Sequence, residues 1–152
     1  MADPEDIRGW LRLSHAVTTS GRLLDGDPQR LAAIGVRHVI NLALDEHPDA
    51  LAGEAEKLTA AGVVYTHIPV PFDAPTEEHF EAFEAALGSA EGPVHVHCTA
   101  NWRVSAFFYL RNRAAGMAEP EARALMNRLW EPATSKAPHA DKWAAFVARG
   151  ME

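Results

Sequence analysis

Cysteine is almost missing from this chain, which holds one, Cys98, among 152 residues. A lone thiol excludes an intrachain disulfide, so oxidation staples nothing and the thiol stays available for chemistry. Basic side chains are also scarce, with 14 Lys and Arg against 21 Asp and Glu and a formal net charge of −7. That balance opposes non-specific attraction to nucleic acid or to an anionic membrane surface, so any anion site has to be built locally. No apolar run approaches the ~20 residues that a membrane-spanning helix requires. The opening Met-Ala-Asp-Pro-Glu-Asp lacks the basic and apolar regions of a secretory leader. A reducing cytoplasm is the expected compartment. Internal repeats, low-complexity segments and linkers are absent too. With 47% hydrophobic residues, the length suits one core, and residues 1–152 read as a single domain.

What is present alternates between strand and helix signals. Residues 4–14 read as a weakly helical or irregular lead, with Trp10, Leu11 and Leu13 covering one edge of the core. His15 to Gly21 reads as a short strand. Asp27 then fits a helix N-cap with Pro28 in the first helical position, and Leu31 and Ile34 mark an apolar face that stops at Gly35. Val36–Leu44 is nearly continuous in apolar residues, as expected of a strand covered on both faces. A helix over 49–61 closes at Gly62, and Val63–Val70 supplies the next strand. Thr76 caps a helix over 77–87, whose Phe80, Phe83 and Leu87 share one face before Gly88 ends it. Gly116 and Pro120 frame a further helix running to Trp130, and residues 137–147 form a last amphipathic one. The alternation predicts an α/β, three-layer fold with a mainly parallel central sheet of about four to five strands flanked by helices.

The most informative stretch is Val94–Ser105, reading V-H-V-H-C-T-A-N-W-R-V-S. Its first half alternates like a short buried strand, and its second half runs into the apolar Ala106 to Leu110 of a buried helix. A strand–loop–helix turn aims free backbone N–H groups and the positive end of a helix dipole into one space, which favours an anion. Cys98 opens that loop and Arg103 closes it. Both surroundings stabilise negative charge on sulfur, the nucleophilic form, and a guanidinium can hold two oxygens of a phosphate or sulfate at once. A free Cys after an apolar strand is often only a core residue, but His97, Thr99, Asn101, Arg103 and Ser105 converge beside this one. Three prolines stiffen the loop P-V-P-F-D-A-P-T, and because Thr76 is the better cap, Asp73 is left for another role. His95 and His97 lie two apart on one strand face, yet no third ligand has metal-site spacing, so no metal and no cofactor are expected. His139 and Asp141 read as a solvated face.

The run H-C-T-A-N-W-R-V-S, preceded by V-I-N-L-A-L and by I-P-V-P-F-D-A-P-T, resembles the cysteine-dependent protein tyrosine and dual-specificity phosphatases, in particular their small bacterial members. The resemblance covers about residues 15 to 132. It implies a phosphomonoester hydrolase working through a phosphocysteine, with Cys98 as nucleophile, Asp73 as general acid partly shielded beside Phe72, and Arg103 as anion clamp. It also assigns Thr99, Ala100, Asn101, Trp102 and Ser105 to substrate binding, Ser105 to stabilising the cysteine as leaving group, and His97 to supporting the cysteine. A phosphorylated protein or small molecule would be the substrate, with inorganic phosphate or sulfate able to sit in the loop; no nucleic acid or membrane partner is implied, and the oligomeric state is open. One departure stands out: the family separates cysteine and arginine by five residues, whereas four separate Cys98 and Arg103. Either the loop is one residue short, as in rhodanese-type sulfurtransferases that carry a persulfide, or it keeps its length with the arginine moved forward. In the second case Asn101 replaces a glycine and Val104 fills the arginine slot. Besides the sulfurtransferase, a weakly active or inactive phosphate- or sulfate-binding module is an alternative.

Overall fold

The computed structural model of the protein describes residues 2–152. Five strands form one sheet: β1 (Leu11–Arg12), β2 (Val17–Ser20), β3 (His38–Asn41), β4 (Val64–His67) and β5 (Val94–His97). Their spatial order is β1-β2-β5-β3-β4, with only the β1–β2 pair antiparallel. The helices are α1 (Asp27–Ala33), α2 (Glu54–Ala60), α3 (Glu77–Ser89), α4 (Trp102–Ala114), α5 (Glu119–Asn127) and α6 (Ala140–Val147), followed by a 3₁₀ turn at Ala148–Met151. The expected three-layer α/β architecture with a mainly parallel sheet is the one observed.

Strand alternation divides the core between the two sheet faces. Ile40, Val94 and Val96 join Phe80, Phe83, Phe107, Trp130 and Trp143 in one apolar cluster, built with α3, α4, α5 and α6. Val39 joins Leu31 and Leu58 in a second cluster with α1 and α2. β5 is buried along its whole length. Its register aligns His97 with Ser20 of β2 and Asn41 of β3, so three parallel strands end side by side. Ligand crevices of parallel sheets open at such carboxyl ends.

Several expected boundaries are corrected. The lead is turns followed by β1, an edge strand held by only two residue pairs, too short for a periodic signal. Asp27 does not cap α1; Gly26 takes that position, and the buried Asp27 carboxylate accepts from the Leu24 amide at 2.7 Å and from Arg30 at 2.9 Å. The strands expected over 36–44 and 63–70 are regular only across His38–Asn41 and Val64–His67, with single backbone bonds running on, the Val70 amide donating to the Leu42 carbonyl at 3.0 Å. α2 begins at Glu54 rather than near 49, after Gly53 in the left-handed conformation with φ +69°, which glycine adopts without steric cost.

Candidate active site

Cys98 follows β5 directly and is 1% exposed, with its amide donating to the Ser20 carbonyl at 3.3 Å. The chain then turns through Thr99 and Ala100 to Asn101 and enters α4 at Trp102. Asn101 has φ +67° and ψ 15°, the left-handed conformation that the full-length-loop reading asks of it, and asparagine tolerates it better than most residues. Its buried amide donates to the Gly9 carbonyl at 2.8 Å and to Thr19 Oγ1 at 2.9 Å. The loop rests on two glycines with no room for a side chain. A Cβ at Gly21 would stand 2.5 Å from the Thr99 carbonyl oxygen, and one at Gly9 3.1 Å from that of Ala100.

Three of the loop carbonyls accept hydrogen bonds within the protein. The Cys98 carbonyl accepts from His97 Nδ1 at 3.2 Å, and that of Thr99 from the Arg22 amide at 2.9 Å and Arg8 Nη1 at 3.4 Å. The Asn101 carbonyl accepts from the Ser105 amide at 3.1 Å. Among the described residues, the amides of Thr99, Ala100, Asn101, Trp102 and Arg103 donate to no protein acceptor. Five such donors, running into the start of a 13-residue helix, are available to an anion, as an anion cradle requires.

The cradle opens into a cleft of about 270 Å³ lined by Leu44, His47, Phe72, Cys98, Thr99, Ala100, Trp102 and Arg103. Arg103 is buried, and its guanidinium donates to the Val70 carbonyl at 2.9 Å and to Thr99 Oγ1 at 3.0 Å. A guanidinium carries five N–H donors, so others remain for an anion. Val104, in the family's arginine slot, is fully buried in the first core cluster. On the opposite side of the loop, Arg8 and Arg22 share the Asp49 carboxylate at 3.0 and 3.3 Å. The hydrogen bond from Arg8 leads in holding that carboxyl below its usual range.

Aromatic rings build one wall. Trp102 and Trp130 stack at 4.7 Å, nearly parallel, and Phe72 packs against both of them and against Trp143. Trp143 Nε1 donates to the Phe72 carbonyl at 2.7 Å and Trp130 Nε1 to the Trp102 carbonyl at 3.1 Å.

Two expected site residues sit apart from the thiol. Asp73 lies in the turn beside Phe72 but is exposed and does not line the cleft, so the partial shielding expected for it is not seen: Phe72 turns inward and the next side chain outward. Ser105 Oγ donates to the Trp102 carbonyl at 3.0 Å within α4 and makes no hydrogen bond to Cys98. His97 is buried, and its Nε2 meets Glu54 Oε2 at 2.6 Å. Sequence reasoning passed over Glu54, His47 and Trp130, which stand far from the loop in the chain and carry no spacing signal. His139 and Asp141 are exposed, and no group of three His, Cys, Asp or Glu side chains among the described residues is arranged to hold a metal.

Comparison with known proteins bears on this architecture. A DUF442 protein from Shewanella putrefaciens CN-32 overlays with a TM-score of 0.80 at 32% identity, covering 97% of this chain and 95% of that one. TpbA of P. aeruginosa, solved in complex with phosphotyrosine, overlays at 0.71 with 18% identity over 97% of this chain and 86% of that one, a similarity of fold. The Beta-lactamase hydrolase-like protein of Agrobacterium fabrum is 30% identical over 103 residues, 66% of this chain. The chain spans about a quarter of the length of that relative, 24%. Residues 11–116 match the family model for the phosphatase-like domain of Beta-lactamase hydrolase-like proteins. That match covers well over half of the chain, and the chain belongs to that family of phosphatase-like domains.

Proposed function

We propose that this chain hydrolyses a phosphomonoester through a phosphocysteine. The observation that carries the reading is the run of five unpaired amides that follows Cys98 into the start of α4. Cys98 Sγ attacks phosphorus while the bond to the leaving oxygen breaks, and Asp73 supplies the proton that this oxygen takes up. The loop amides and Arg103 hold the equatorial oxygens as charge builds on them. Water then attacks phosphorus, the Asp73 carboxylate receives its proton, and the sulfur leaves with the electrons of the S–P bond. The aromatic wall of Phe72 and Trp102 suits an apolar or aryl group next to the phosphate. Residues 1–152 act as one domain in this reading, with no cofactor.

The outward position of Asp73 favours a second reading, an anion-binding module with slow turnover. Steady-state hydrolysis of an aryl phosphate separates the two. Cys98→Ser is expected to abolish turnover while leaving inorganic phosphate bound. Asp73→Asn should slow phenyl phosphate by about 10²-fold, with a smaller effect on an activated ester. Turnover in Cys98→Ser close to that of the unmodified protein, or thiosulfate-to-cyanide transfer faster than phosphate hydrolysis, would sink the phosphocysteine. Equal sensitivity of both esters to Asp73→Asn would remove Asp73 as the acid.

A further inference from the structure

We infer that Glu54 is a positioning residue for the Cys98 thiol, acting through His97; the inference rests on the proposed reading of Cys98 as nucleophile. The pair is buried, with side-chain exposures of 7% for Glu54 and 3% for His97, and its N···O distance is 2.6 Å. The other imidazole nitrogen, Nδ1, faces the Cys98 carbonyl oxygen at 3.2 Å. A carbonyl oxygen can only accept, so Nδ1 donates; with Glu54 ionised, as the inference has it, Nε2 donates as well and the ring is an imidazolium. Glu54 supplies the countercharge that makes such a ring tolerable without water. The ring lies between the Glu54 carboxylate and the Cys98 carbonyl oxygen. The other charged or titratable groups near it are few: His95 stacks on His97 at 6.2 Å, and Tyr65 of β4 lies close enough to Glu54 for the carboxylate to add to the upward push on its phenol.

Two consequences bear on the thiol. First, the Cys98 carbonyl is held away from the anion cradle, where a carbonyl oxygen would repel phosphate. Its amide is tied to Ser20 at the same time, so the peptides on both sides of the nucleophile are fixed. Second, a positive ring one residue from the sulfur favours its charged, reactive form. A buried ion pair adds little net stability compared with apolar packing, so stability alone gives weak reason for this one. Its location is the reason: α2 starts at Glu54 after a left-handed Gly53, which delivers a carboxylate to the carboxyl end of β5.

Glutamine at position 54 tests charge separately from shape. Its amide can donate to Nε2 of a neutral ring while Nδ1–H still meets the Cys98 carbonyl, so both hydrogen bonds survive and the imidazolium is lost. Alkylation of Cys98, which lines the cleft, by iodoacetamide at pH 7 reads thiol reactivity without any phosphatase turnover. Glu54→Gln should alkylate about ten-fold more slowly than the unmodified protein. In a His97→Gln background, adding Glu54→Gln should change the rate less than two-fold. Equal rates for Glu54→Gln and the unmodified protein, or an undiminished effect of Glu54→Gln without His97, overturns the inference. ¹⁵N NMR of the unmodified protein provides a measurement that needs no variant: His97 should show both ring nitrogens protonated at pH 7, and a ring with one proton overturns the inference as well. Failure of the phosphatase reading itself would show separately, as absent aryl phosphate turnover in a protein whose thiol reactivity still depends on Glu54.

Discussion

At the scale of single residues, His95 shows how a buried polar group is made tolerable. It is fully buried, with Thr18 Oγ1 at 2.8 Å from Nδ1 and Ser20 Oγ at 2.8 Å from Nε2. The one hydroxyl proton of Ser20 is donated to the Gly21 carbonyl. Its oxygen therefore accepts from Nε2–H, and Nδ1 accepts from Thr18. The ring is neutral in a defined tautomer, and it braces Gly21 against the back of the Cys98 loop. Burial, helped by the charge on His97, pushes the His95 pKa well below 6.5. The folded state thus binds a proton less readily than the unfolded chain. Stability owed to this site is complete above pH 6.5 and declines as pH falls below it, until the folded pKa is reached. Between pH 7.5 and 5.5 the unmodified protein is expected to lose about 1 kcal/mol more than a His95→Gln variant. Urea midpoints at the two pH values check this; parallel losses in both proteins would remove His95 as the cause.

Among elements, α4 decides what the departure in the loop means. A helical step turns a side chain by about 100°, so neighbouring residues at its start face different surroundings. Arg103 faces the cleft and ties the Thr99 side of the loop to Val70, at the head of the segment that carries Phe72 and Asp73. Val104 faces the core. Moving arginine to the family's slot would accordingly bury a cation among aromatic and aliphatic side chains, where an unpaired charge costs several kcal/mol. Val104→Arg with Arg103→Ala is expected to lower unfolding stability by at least ~3 kcal/mol and to restore no activity. Arg103→Ala alone should remain folded and lose kcat/KM on an aryl phosphate, by about 10²-fold if the guanidinium holds the transferring group. A stable double variant more active than Arg103→Ala would show that α4 can rotate to accept the family arrangement.

For the whole molecule, the part outside the family match is built into the site. The match ends at residue 116, yet Ala122, Met126, Trp130, Ala140, Trp143 and Val147 belong to the same core cluster as Cys98, Phe83 and Phe107. Trp130 and Trp143 hold the backbone of the cleft through Trp102 and Phe72. Removing residues 117–152 would expose the inner faces of α3 and α4. Burial of one large side chain contributes roughly 1.5–3 kcal/mol, and ordinary domains hold only about 5–15 kcal/mol in total. A chain ending at residue 116 is therefore expected to show no cooperative thermal unfolding by circular dichroism. A sharp transition from that shortened chain would mean that the C-terminal helices are an accessory layer.

Composition, the single cysteine and the strand–loop–helix pattern determined by themselves the α/β class, the central strand and the loop that opens on Cys98. Those signals are local: β5, the loop and the start of α4 follow one another directly, and apolar periodicity reads off each. Asn101 could be placed at a left-handed position because the backbone preference belongs to the residue. The edge strand β1 was not legible, since its pairing with Thr18 and Thr19 leaves no period in two residues. Strand ends were overextended because Leu42 and Val70 are apolar through burial in the core, beyond the regular strand residues. Only tertiary structure decided that Glu54 reaches His97 from 43 residues away, that Trp130 and Trp143 line up behind Phe72, and that Asp73 faces outward. Each depends on how helices seat against the sheet, a sum over many weak contacts that no short stretch of sequence contains.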